Sequence, residues 1–122
     1  MRRLAMFALV STLAACSMDS TGPNGSVAGT YTLQRINGQT LPYTFSSGLR
    51  LTSDELTLMS DGTYQDVSRY SDGTSFVDDG DYSEYNGAIT FYSSTGETIQ
   101  GSVSGNVLTQ VLNNYTQVFQ RN

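Results

Sequence analysis

The 122-residue chain carries six arginines, no lysine and eleven acidic residues, a net charge of −5, with one cysteine, no histidine and no tryptophan. Without histidine or lysine there is no Ser–His–Asp or Cys–His nucleophile, no zinc site of the Cys/His type and no Schiff-base lysine. The acidic balance and the lack of any basic cluster exclude nucleic acid as a partner. Composition therefore points to a protein that binds rather than catalyses, with no cofactor implied.

The chain begins MRRLAMFALVSTLAAC. Arg2 and Arg3 form a positive start, and residues 4–13 an apolar run shorter than the roughly 20 residues that span a bilayer, the pattern of a signal peptide. Leu13-Ala14-Ala15-Cys16 resembles the bacterial lipobox. That resemblance implies cleavage between Ala15 and Cys16 and a diacylglyceryl group on Cys16. Ser17 is not the aspartate that holds enterobacterial lipoproteins in the inner membrane. The resemblance thus implies the outer membrane, with the domain on its periplasmic face or at the surface. Loss of residues 1–15 leaves 107 residues and, with Arg2 and Arg3 gone, a charge of −7. An acidic body is repelled by anionic head groups, so attachment falls to the acyl chains.

Residues 16–28, the lipidated cysteine and a Gly/Pro/Ser-containing stretch, read as a flexible tether, and residues 29–122 as the folded domain. From Gly29 onward, short runs of Thr, Val, Ile, Leu and Tyr are broken by Asn-Gly, Asp-Gly and Gly-Asn, the signal of successive hairpins. The first strand is expected over 29–37. Leu41-Pro42-Tyr43-Thr44-Phe45 follows as an extended segment that Pro42 confines to an edge. Further strands are expected over 49–60, 63–70, 74–85, 88–94, 97–104, 107–112 and 115–121. No glycine-free helical stripe occurs after residue 28. The fold class is all-β: an antiparallel up-and-down meander of about eight strands. Closure into a barrel would remove its exposed edges, and a Greek-key sandwich is the alternative.

Alternation puts Tyr31 with Leu33, Leu56 with Leu58, and Ile89 with Phe91 on common faces. Tyr64 and Tyr82 point inward. Leu108, Gln110 and Leu112 share a face, as do Tyr115, Gln117, Phe119 and Arg121. An interior of Tyr64, Tyr82, Phe91, Tyr115 and Phe119, with Gln110 and Gln117 as polar anchors, suits a small apolar or amphipathic ligand. The competing expectation is that the same side chains fill a narrow barrel. Tyr43, Phe45, Tyr70, Phe76, Tyr85 and Tyr92 are candidates for partial exposure, where a contiguous patch would mark a partner surface.

With the strands placed, the chain resembles the small lipocalin-like domains of bacterial lipoproteins. Gly29-Thr30-Tyr31 stands where that family carries Gly-x-Trp. Ile36-Asn37-Gly38-Gln39 with Leu41-Pro42 looks like its first-strand exit, and Leu58 with Asp61-Gly62-Thr63-Tyr64 like its common strand–turn–strand. Gly80-Asp81-Tyr82 with Ala88-Ile89-Thr90-Phe91, and Val118-Phe119-Gln120-Arg121, look like a later unit and the closing strand. The resemblance implies that Arg121 packs over Tyr31 to close the base of the barrel. Tyrosine stands in place of the tryptophan, and the strands are shorter than in true lipocalins, which implies a small or filled interior.

The acidic residues offer weaker chemistry. Asp78-Asp79-Gly80-Asp81, near Asp72 and Glu84, could supply oxygen ligands to calcium, but the spacing is not that of an EF-hand and alternate strand residues face opposite ways. Asp61, Asp72 and Asp78 could form an acid/base carboxylate pair, yet Asp61 and Asp72 sit in Asp-Gly turns that use the side chain locally. No metal site is assigned. Two functions remain: a lipid-anchored envelope carrier of a small ligand, or an envelope protein–protein interaction module or inhibitor whose acidic loops and rim steer a cationic partner.

Overall fold

In the computed structural model the structure describes residues 27–122. The signal-peptide and lipidation readings at Ala15 and Cys16 lie outside them, as does most of the tether. The described strands are β1 (Gly29–Ile36), β2 (Gln39–Thr40), β3 (Tyr43–Thr44), β4 (Arg50–Leu58), β5 (Thr63–Tyr70), β6 (Ser75–Tyr85), β7 (Ala88–Ser93), β8 (Thr98–Ser104), β9 (Val107–Leu112) and β10 (Tyr115–Arg121).

From β4 to β10 each strand pairs antiparallel with the next, and β10 returns to pair with β1. The ring closes where β1 pairs with β4, Gly29 opposite Leu58 and Thr32 opposite Glu55. The result is a closed, eight-stranded, up-and-down barrel. Closure leaves no long edge for another chain to extend. The Leu41–Phe45 segment contributes two short pieces: β2 folds back on the end of β1, and β3 pairs with the start of β4, with Leu41-Pro42 in the cis form between them.

Turn chemistry explains the meander. Asn86 and Gly87 both take positive φ, 52° and 86°, the backbone of a two-residue hairpin loop whose twist matches the flanking strands. The Asp-Gly turns are built differently. Met59 N–H donates to the Thr63 carbonyl and Gly62 N–H to the Met59 carbonyl, with Gly62 at φ 93°. Asp61 braces this turn by accepting from both the amide and the hydroxyl of Thr63, and Asp72 does the same for Thr74.

Two irregularities shift the alternation. The β10–β1 register slips so that Val118 faces Arg35 and Phe119 faces Leu33, bringing both Leu33 and Ile36 inside. The β4–β5 register slips between Leu51 and Ser53, so Leu51 and Asp54 both point inward although three residues apart. Such bulges bend a strand and re-aim its side chains.

The core fills the end of the barrel that carries the β4–β5, β6–β7 and β8–β9 turns and both termini of the described chain. Tyr31, Leu58, Ile89, Leu108 and Phe119 are fully buried there. Burying each such side chain contributes about 1.5–3 kcal/mol against chain entropy. The Tyr31 hydroxyl donates to the Val27 carbonyl at 2.7 Å and the Tyr82 hydroxyl to the Met59 carbonyl at 2.7 Å, so both buried phenols are satisfied. The Arg121 guanidinium lies 5.3 Å from the Tyr31 ring centroid and donates to the carbonyls of Ala28 and Gly105. Gly29 is needed beside it: a Cβ there would sit 2.9 Å from Arg121 Cδ, at a backbone φ of 147°. Val27 and Ala28, read from sequence as tether, thus supply two of the carbonyl acceptors at the closed end.

Candidate functional site: the barrel cavity

The opposite end of the barrel, beneath the 37–49 connection and the β5–β6, β7–β8 and β9–β10 turns, encloses a cavity of about 260 Å³. An apolar cavity of about 150 Å³ admits a benzene ring, so this one has room for a ring with a short substituent. At the mouth, Tyr43, Phe45 and Tyr115 pack edge to face, with ring centroids 5.2 to 6.1 Å apart. Deeper in, Tyr64 meets Phe91 edge to face at 5.0 Å. Leu51, Leu56, Ile99 and Leu112 supply aliphatic wall.

Tyr64, Phe91, Gln110, Tyr115 and Gln117, all expected from the sequence to line an interior site, do line this cavity. The two glutamines face one another across β9 and β10, Gln110 Nε2 donating to Gln117 Oε1 at 2.8 Å. Tyr82 and Phe119 are not in the lining. They belong to the packed end, where Phe119 is fully buried and Tyr82 lies behind Phe91 with centroids 6.5 Å apart. Tyr43, Phe45 and Tyr70 are partly exposed, as expected, with Phe45 and Tyr70 in the cavity wall; Phe76, Tyr85 and Tyr92 are exposed, and Phe76 also borders the cavity.

What sequence reasoning missed is an acidic wall. Asp54 on β4, Asp66 on β5 and Asp78 on β6 all line the cavity. Asp66 lies opposite Leu56 on one side and Asp78 on the other, and Asp54 lies opposite Ser68, diagonal to Asp66. Asp54 is 97 % buried, its exposure being 3 %. Ser68 Oγ donates to Asp54 Oδ2 at 3.0 Å. Asp78 accepts from the Tyr64 hydroxyl at 2.9 Å and from Ser93 Oγ at 2.5 Å. By contrast, among the described residues no neighbouring group donates to the buried Asp54 Oδ1 or Asp66 Oδ1. Lys, Arg and His are absent from the lining.

Those facts set the protonation. Burial, then the neighbouring Asp54 and Asp78 carboxylates, push the Asp66 carboxyl far above its ordinary range, and burial raises Asp54 as well. Neighbouring carboxyls buried in one wall do not readily both ionise, so Asp54 and Asp66 share a proton and titrate as a pair. Burial and the hydrogen bond to Asp78 likewise raise the Tyr64 phenol.

The acidic residues singled out from sequence separate in space. Asp78 faces the cavity, while Asp79 points outward and accepts from Ser94 Oγ. Asp81 is exposed, and Glu84 accepts from the Gly87 amide in its own turn. Asp61 and Asp72 brace their turns and face no cleft. Among the described residues no three acidic, histidine or cysteine side chains are grouped to hold a metal ion.

The fold and site define a closed antiparallel β-barrel with a small cavity at one end, aromatic at the mouth and acidic on one wall. No protein-family model, curated protein or solved structure matches the chain.

Proposed function

We propose that the protein is a lipid-anchored, lipocalin-like barrel of the bacterial cell envelope that binds a small amphipathic molecule in its interior. The observation that carries this reading is the cavity of about 260 Å³, open at its mouth and not filled by side chains, with rings at that mouth and a few convergent polar groups within. Small-molecule sites have that form, apolar walls with sparse polar anchors. At about 260 Å³ the cavity falls just below the usual range for such sites, about 300–1,000 Å³, so the ligand is correspondingly small.

Membership of the lipocalin-like group is supported by the order of the short motifs along an eight-stranded meander and by the Arg121–Tyr31 stacking at the closed end. The envelope address rests on the Leu13–Cys16 lipobox. The protein is read as a binder, in keeping with a chain that lacks histidine and lysine.

Native mass spectrometry of the chain purified from the envelope tests the proposal. An adduct released on denaturation is the expected result and would give the ligand's mass. A clean apo mass, together with failure of the folded protein to take up any small aromatic probe, would overturn it and move the weight to a protein partner at the rim.

A further inference from the structure

The acidic wall has no countercharge, and that absence selects the ligand. Asp54, Asp66 and Asp78 stand on three adjacent strands, facing one cavity whose lining contains no basic residue. Asp54 is almost completely buried, yet among the described residues no neighbouring group donates to its Oδ1 or to that of Asp66, and the two carboxyls have only the proton they share. Leaving a buried acceptor unpaired is costly, the more so when it is charged. A guest that brings donors and positive charge would remove that cost. A guest that brings an anion would add to it.

We infer that the cavity is a site for a small organic cation, a protonated amine carried on an aromatic or short apolar body, with the ammonium held between Asp54 and Asp66 and the body among Phe45, Leu51, Leu112 and Tyr115. This deepens the reading of the cavity as a ligand site and rests on it. An ammonium supplies three donors to carboxylate oxygens that lack them, and charge-assisted bonds of this kind are about twice as strong as neutral ones. The rings at the mouth suit the apolar body, and their faces also attract cations. Among the described residues no three acidic side chains gather around one point as a bare metal ion would need, whereas an ammonium needs only the neighbouring pair.

Binding exchanges one cation for another. The empty pair holds a proton. The incoming ammonium, already charged at neutral pH, favours the doubly ionised pair, and the proton leaves to solvent. The other ionisable groups facing the pair are Asp78 from β6, Tyr64 and Tyr70 from β5, and Glu97 from the β7–β8 turn, while the lining from β8, β9 and β10 contributes no ionisable group except Tyr115. Asp78 and Glu97 are acidic, so every carboxylate in the lining favours a cation. Affinity for the ammonium therefore rises with pH until the pair has lost its proton unaided.

The test is titration calorimetry of the full chain with 2-phenylethylamine, 2-phenylethanol and phenylacetate at pH 6 and pH 8, in buffers of different ionisation enthalpy. The amine should bind at least about tenfold more tightly than the alcohol at pH 8. It should bind more tightly at pH 8 than at pH 6, and release close to one proton per site at pH 6. Phenylacetate should bind least. Asp54→Asn and Asp66→Asn should each erase most of the preference for the amine over the alcohol. Equal binding of amine and alcohol, or preference for the acid, would overturn the cation inference while leaving the cavity a ligand site. If the folded chain, checked by near-ultraviolet circular dichroism, bound none of these probes, both readings would fall together.

Discussion

The Asp54–Asp66 pair makes this barrel more stable in mild acid than at neutral pH, and Asp66→Asn should remove that dependence. In the folded state the pair keeps one proton because burial and mutual repulsion raise its affinity for it. In the unfolded chain each aspartate returns to about 3.9. A carboxyl raised on folding contributes its stability in full below the unfolded value, and loses it as pH climbs toward the folded one. In that window the folded state binds one more proton than the unfolded, so stability falls by about 1.4 kcal/mol per pH unit. From pH 5 to pH 7 the loss is nearly 3 kcal/mol, or roughly 10–20 °C in Tm for a domain of this size. The two turn aspartates, Asp61 and Asp72, are lowered by their bonds to Thr63 and Thr74. Their contribution is present above the unfolded value and lost only in stronger acid, so it does not slope between pH 5 and pH 7. Asparagine at position 66 keeps a permanent donor for Asp54 Oδ1 without the proton. Asp66→Asn should flatten the profile by about 1.4 kcal/mol per unit and be the more stable protein at pH 7. Thermal melts of both proteins from pH 5 to pH 7, followed by circular dichroism, measure this. A parent Tm that is constant or rises over that range, or an unchanged slope in Asp66→Asn, would refute the shared-proton account.

Three further outcomes are expected. Arg121→Ala, which loses the stacking on Tyr31 and the bonds to Ala28 and Gly105, should cost about 2–3 kcal/mol in urea unfolding; a loss under 0.5 kcal/mol would show that the closed end holds without it. Gly80→Ala would place a Cβ 2.0 Å from the Tyr92 carbonyl oxygen, and since backbone must move it should destabilise by at least about 2 kcal/mol; a melt matching the parent would mean that β6 and β7 part more easily than their register implies. Cys16→Ala should shift the protein from the detergent phase to the aqueous phase in detergent phase separation, and a variant that stays wholly with detergent would remove the lipid-anchor assignment.

The strand order, the turns and most of the packed end are properties of the local sequence. Asn86-Gly87 takes positive φ at both residues almost regardless of context, and Asp61 and Asp72 each bond the residue two ahead. Hairpins in series, with Leu58, Ile89, Leu108 and Phe119 repeating on alternate positions, leave a closed meander as the economical way to bury one face. The cavity walls were legible in part for the same reason, since Tyr64, Phe91, Gln110 and Gln117 lie on the faces that alternation assigns inward.

The acidic wall was decided by tertiary structure. Asp66 shares the parity of Tyr64, and Asp78 that of Tyr82, so the signal for those two was present; it was outweighed by the ordinary preference of aspartate for solvent. Asp54 carried contradictory signals. Counting in twos from Leu51 sends it outward, while counting back from Leu56 brings it inward. The slip between Leu51 and Ser53 resolves the conflict by turning both Leu51 and Asp54 into the barrel. Whether Asp54 and Asp66 are surface groups or a buried pair that shares a proton depends on that slip and on β1 meeting β4 to close the ring. Neither is a property of any one strand, because the first needs the partner's register and the second needs the whole ring.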